Sequence, residues 1–151
     1  MKRVLFVATV AAVALASFGF ANRAPQPYRV VFDLTSRDSL DQKAVVRWIN
    51  EVTTSSPDAQ IEVVMYAKGF ELVMPDKSTM LPQVQAAIKN PKVAFRVCAI
   101  ALKNNGVDKS QLLPGVETVP DGIHELVMKQ QDNWGYIKAV HYPYPRDPEC
   151  S

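Results

Sequence analysis

From Tyr28 onward, short runs of β-branched and aromatic residues alternate with stretches whose apolar positions recur every three or four residues. That alternation predicts a parallel sheet covered by helices on both faces. Residues 29–34 (RVVFDL) read as a first strand, and Thr35, Ser36, Arg37 and Asp38 as the turn after it. Leu40, Ala44, Val45, Trp48, Ile49 and Val52 then fall on one helical face, so a helix over residues 39–53 is expected, capped by Asp38. Pro57 and Asp58 turn the chain into a second strand, residues 61–66 (IEVVMY), and Ala67, Lys68 and Gly69 form a tight connection into residues 70–73. A helix capped by Ser78 and running to Ile88 follows, with Pro82 accommodated in its first turn, and residues 92–98 (KVAFRVC) are a third strand.

A short helix over residues 99–104 should end at Asn105 and Gly106, residues suited to a helix C-terminus. Residues 116–119 are a short fourth strand, Pro120 and Asp121 open a helix carrying Ile123, Leu126 and Val127, and residues 136–140 close the sheet. The expectation is a single α/β domain over residues 22–140, three-layered (α/β/α), with a mainly parallel five-stranded sheet.

Two segments stand outside this pattern. Lys2 and Arg3 precede an uncharged run that starts at Val4, and small residues crowd its end at Gly19 and Ala21. This reads as a signal peptide over residues 1–21, cut after Ala21; as a membrane anchor the run is marginal beside the ~20 residues a spanning helix needs. No later apolar run approaches that length, so a chain without a stable membrane span after cleavage, periplasmic or secreted, is expected. The last segment, residues 141–151 (HYPYPRDPECS), carries too many prolines to pair as a central strand and reads as a separate tail.

Charge narrows the partners. The whole chain has a formal net charge of +2, but removal of Lys2 and Arg3 leaves 15 basic against 15 acidic residues. A neutral chain argues against nucleic acid, whose phosphates call for a basic surplus on one face. There is no Walker loop, GxGxxG fingerprint or GxSxG elbow to suggest nucleotide binding or serine hydrolysis. His124 and Glu125 begin an apparent HExxH zinc signature, but its fifth position is Met128, so no metal site is expected and both His124 and His141 read as surface residues.

The two cysteines carry the remaining chemistry. Cys98 ends a strand and directly precedes a helix, where unpaired backbone N–H groups favour thiolate, and Arg96 two residues earlier adds positive charge if it turns to the same rim. The competing reading is a small buried hydrophobe, common for free cysteine. For Cys150, three outcomes stay open: a disulfide to Cys98, a bond to another chain, or a free thiol that resolves a persulfide on Cys98. Asp33, at the end of the first strand, is either a pocket carboxylate or a turn partner for Thr35 and Ser36.

Taken together, VVFDLTS, PDAQIEVVMYAKGFELV, VAFRVCAIALKNNGV, LLPGVETVPDGIHELV and QDNWGYIKA resemble the DsrE/DsrF sulfur-relay family over roughly residues 28–139. The resemblance implies homotrimers or hexamers, no cofactor, and a persulfide-carrying cysteine at a strand end, matched here by Cys98. It also implies a substrate pocket completed by Thr35 and Ser36 and by the loop of Ala67, Lys68 and Gly69; Arg96, from its place near the cysteine, is expected to join that pocket, and a sulfur donor or acceptor protein is the expected partner. After the cysteine many relatives read Glu-Asn-Thr, whereas this chain has Ala99, Ile100 and Ala101, an apolar replacement that favours burial of the thiol. Two functions follow: an exported sulfur carrier using Cys98, or a non-catalytic oligomeric binding module on the same scaffold.

Overall fold

The computed structural model describes residues 27–140; the expected signal peptide over residues 1–21 and the 141–151 tail, with His141 and Cys150, lie outside the described residues. In chain order the elements are β1 (Arg29–Leu34), α1 (Ser39–Ser55), β2 (Gln60–Met65), a 3-10 helix (Gly69–Val73), α2 (Leu81–Ile88) and β3 (Val93–Cys98). They continue with α3 (Ala99–Asn104), a second 3-10 helix (Lys109–Gln111), β4 (Glu117–Val119), α4 (Gly122–Gln131) and β5 (Gly135–Lys138). The five strands lie in the order β4-β3-β2-β1-β5, and every pairing is parallel.

Strand alternation divides the side chains between two faces. Val30, Phe32 and Leu34 of β1, Ile61, Val63 and Met65 of β2, and Val93, Phe95 and Val97 of β3 join one buried cluster with Val45, Val46 and Ile49 of α1 and Val84 of α2. Val31 and Val64 point the other way and meet Leu126 of α4, with Tyr66 and Trp134 beside them. Helices therefore cover both faces of the sheet, as the alternating pattern predicts.

Local chemistry accounts for the element ends. Asp38 accepts a hydrogen bond from the Leu40 amide (2.7 Å) and caps α1, which runs two residues beyond its predicted end. Ser78 accepts from the Met80 amide at 3.3 Å, but the regular helix starts only at Leu81. Gly106, at φ +63°, ends α3 with the Val107 and Gly106 amides donating back to Leu102 and Lys103, and Asn133, at φ +62°, ends α4 in the same manner. β2 stops at Met65, one residue short of the prediction, although the Tyr66 amide still donates to the Leu34 carbonyl (3.3 Å). β5 stops at Lys138, and Ala139 donates its amide to the Asp33 carbonyl (2.8 Å).

The face under α4 holds charge as well as apolar side chains. Glu62 on β2 is 2% exposed, and its Oε2 lies 2.7 Å from Lys129 Nζ and 3.7 Å from Arg96 Nε. Arg96 also pairs with Glu117, its cross-strand neighbour, and Lys129 with Glu125. Trp134 covers the cluster, its ring 4.5 Å from the Lys129 ammonium. Burial raises the Glu62 carboxyl above the ordinary glutamate range, and Lys129 only partly offsets that.

Gly69 fixes the geometry between β1 and β2. It is buried, its amide donates to the Tyr66 carbonyl, and a side chain there would run into the backbone carbonyl of Leu34. Backbone cannot yield as a flexible side chain can. Gly69→Ala is therefore expected to destabilise the fold by about 3 kcal/mol or more, read by urea unfolding.

Glu62 yields a second expectation. Because its folded carboxyl holds its proton to higher pH than in the unfolded chain, its contribution to stability is fully present below the ordinary value of 4.5 and is lost as pH rises through the folded value. Urea unfolding from about pH 4 to pH 7 should show this loss in the wild-type chain and not in Glu62→Gln.

Candidate functional site

In a wholly parallel sheet all strand C-termini emerge on one edge, which is where open α/β sheets bind ligands. On that edge Tyr66, Ala67, Cys98, Ile100, Ala101, Asn104, Asn105, Asp121 and Ile123 line a cleft of about 340 Å³. Cys98 is contributed by the last position of β3 and leads straight into α3. Its side chain is 5% exposed, and among the described residues it is the free cysteine.

Each wall has a structural reason. Gly122 opens α4, and a Cβ there would stand 3.2 Å from the Cys98 Cβ, so the missing side chain lets the helix start press against the cysteine. Asp121 caps α4, accepting from the Ile123 amide at 2.8 Å and the His124 amide at 3.4 Å, which places a carboxylate in the cleft lining. Asn105 donates through Nδ2 to the Ala101 carbonyl (2.7 Å) and the Ala67 carbonyl (3.3 Å), tying α3 to the loop after β2. Ile100 and Ile123 form an apolar rim, 49% and 59% exposed. No lysine or arginine contributes to the lining, so an anion in the cleft would be met by backbone amides and side-chain amides rather than by a cation.

The structure brings only part of the predicted site together. Cys98 and the predicted loop residue Ala67 line the cleft; Thr35, Ser36, Lys68, Gly69 and Arg96 do not. Ser36 serves the turn, its Oγ accepting from the Asp38 amide (2.9 Å), and the Thr35 carbonyl accepts from the Lys68 amide (3.1 Å). Lys68 is exposed, and Gly69 is spent on the close approach to Leu34. Arg96 is engaged with Glu62 and Glu117, so its charge is directed under α4 and not to the thiol. His124 is exposed, as expected, and among the described residues no cluster of three or more potential metal ligands forms. Cys150 lies outside the described residues.

Asp33 is neither the turn partner nor the cleft carboxylate that the sequence suggests. It is 1% exposed, and its Oδ2 accepts from the hydroxyls of Tyr136 (2.6 Å) and Tyr66 (3.4 Å), while Oδ1 has no partner. Burial and the neighbouring Asp33 carboxylate both push the two phenols above their ordinary range. Tyr66 thus has its ring on the cleft and its hydroxyl anchored beneath β1. The signal that reveals this in sequence is a pair of carboxylates, Asp33 and Glu62, inside otherwise apolar strands.

Ala67 sits in the left-handed region at φ +50°, a conformation that side chains other than glycine adopt only at a cost. Strained backbone of this kind gathers at binding sites. Replacing Ala67 by Gly is expected to stabilise the chain by about 1 kcal/mol, measured by urea unfolding.

Comparison with known proteins agrees with the fold. No curated protein matches the chain. Among solved structures, a protein of unknown function from Methanobacterium thermoautotrophicum, MTH1491, is similar at 29% identity and a TM-score of 0.69, over 74% of this chain and 98% of that one. The sequence matches the DsrE/DsrF-like family over residues 30–139, which spans every strand and helix named above except the first residue of β1. The chain belongs to the DsrE/DsrF-like family.

Proposed function

We propose that this protein is an exported sulfur carrier in which Cys98 accepts sulfane sulfur as a persulfide and hands it to an acceptor. The observation that supports this most directly is the place of Cys98, at the C-terminal end of β3 and in the lining of a cleft that the strand ends, α3 and the start of α4 build together. Family membership points to sulfur-relay chemistry, and the cleft is large enough for a small polysulfide donor. In the step itself the Cys98 thiolate attacks a terminal sulfane sulfur, the donor's S–S bond breaks, and the donor leaves as its own thiolate. No metal or organic cofactor takes part in that exchange.

Export to the periplasm rests on the signal-peptide pattern of residues 1–21. Self-association into trimers or hexamers is favoured by Ile123, Val127 and Met128, exposed along α4. A second reading, a binding module without sulfur chemistry, is favoured by the 5% exposure of Cys98 and by the apolar Ile100 and Ala101 that follow it.

The test uses the chain with Cys150→Ser, which leaves Cys98 as its sole thiol. Incubation of the native protein with polysulfide should add about 32 Da at the Cys98 peptide, reversed by dithiothreitol. An unchanged mass would rule out the carrier reading and leave the binding module.

A further inference from the structure

On the carrier reading above, we propose that the Cys98 cleft selects its sulfur donor by charge: it takes the persulfide of a small aminothiol, with Asp121 holding the donor's ammonium and turning anionic donors away.

The polar atoms of the lining are mostly acceptors. Asp121 brings a carboxylate to the cleft, and no lysine or arginine lines it. Lys68 and Lys103, next in sequence to Ala67 and Asn104, are exposed, where solvent and salt screen their charge. The start of α4 would otherwise attract an anion, but it is occupied from within, since Asp121 Oδ1 accepts from the Ile123 and His124 amides. Asn105 spends its side-chain NH2 on the Ala101 and Ala67 carbonyls, which leaves Oδ1, an acceptor, as its uncommitted atom among the described residues. Tyr66 follows the same pattern. Its hydroxyl donates to Asp33, so the cleft meets the ring, and aromatic surface attracts cations.

These features define the donor. An ammonium finds a carboxylate, an amide oxygen and an aromatic ring, whereas a carboxylate or sulfonate finds a like charge and no counter-charge. Ile100 and Ile123, the exposed apolar rim, suit the short methylene linker that joins an ammonium to a sulfur. A cleft of about 340 Å³ admits a molecule of that size.

In the transfer the Cys98 thiolate attacks the terminal sulfur of the persulfide, a new Sγ–S bond forms and the donor's S–S bond breaks. The terminal sulfur keeps its proton, and the aminothiol leaves with the electron pair as its thiolate, so no oxidant or reductant is consumed. The ammonium stays close to the leaving sulfur and stabilises its negative charge.

The test measures sulfur addition to Cys98 by intact mass in the folded Cys150→Ser chain, with the persulfides of cysteamine, mercaptoethanol and mercaptopropionate. These carry an ammonium, a hydroxyl and a carboxylate. Each rate is divided by the rate of the same reagent with the urea-unfolded chain, which removes differences in intrinsic reactivity. The ammonium donor should be fastest and the carboxylate donor slowest, at least about tenfold apart at low salt. Asp121→Asn removes the charge and keeps an equally good helix cap, and it should bring the extremes to within about threefold. Raising sodium chloride to about 0.5 M should narrow the order in the Asp121 chain as well, which tests the charge without any substitution at that position. Equal rates, a faster carboxylate donor, or an order that survives both the substitution and the salt would overturn charge selection and leave the carrier reading standing. No sulfur addition from any of the three would overturn both.

Discussion

Parallel pairing of all five strands governs everything that follows from this structure. It sends β1 to β5 out on a single edge and requires helical or loop crossovers between them. The loops after β1 and β2, the start of α3 and the start of α4 are thereby gathered in one place. The three central strands must be buried on both faces, which is why β1 and β2 read as nearly unbroken apolar runs. Gly69 serves the same constraint, since the chain leaving β2 passes so close to the end of β1 that no side chain fits between them.

Two carboxylates interrupt those runs, and they divide the second face between structure and site. Glu62 is neutralised beneath α4 by Lys129 and Arg96, so that helix is held by charge as well as by Leu126. Asp33 is satisfied on one oxygen by two tyrosines, one of which, Tyr66, also walls the cleft. Buried ionic groups of this kind contribute little net stability compared with apolar packing, yet removing one partner is costly. They hold α4 and Tyr66 in place, and through α4 they set the position of Gly122 against Cys98.

Most of the fold was legible because period two and period 3.6 are local signals. RVVFDL, IEVVMY and KVAFRVC were recognisable as strands, and Asp38, Asp121 and Gly106 marked helix ends that the structure retains. The site was only half legible, because lining a cleft depends on where loops converge. Cys98 and Ala67 follow from their places at strand ends. Ser36, Lys68, Gly69 and Arg96 hold similar places but are taken up by a turn, solvent, a backbone contact and an ion pair. Asn105, which ties α3 to Ala67, carried only the signal of a helix end. The apolar replacement at Ala99, Ile100 and Ala101, with the general tendency of free cysteine to be buried, anticipated a thiol of low exposure.

The account centres on a Cys98 thiol that is enclosed but reachable through the cleft, and native-state alkylation tests that directly. With the reduced protein at neutral pH, iodoacetamide should label Cys98 in the folded chain at a rate within about tenfold of that in denaturant. Labelling that waits for the protein to unfold would contradict the account, because it would make Cys98 part of the hydrophobic core and the cleft a surface without a nucleophile.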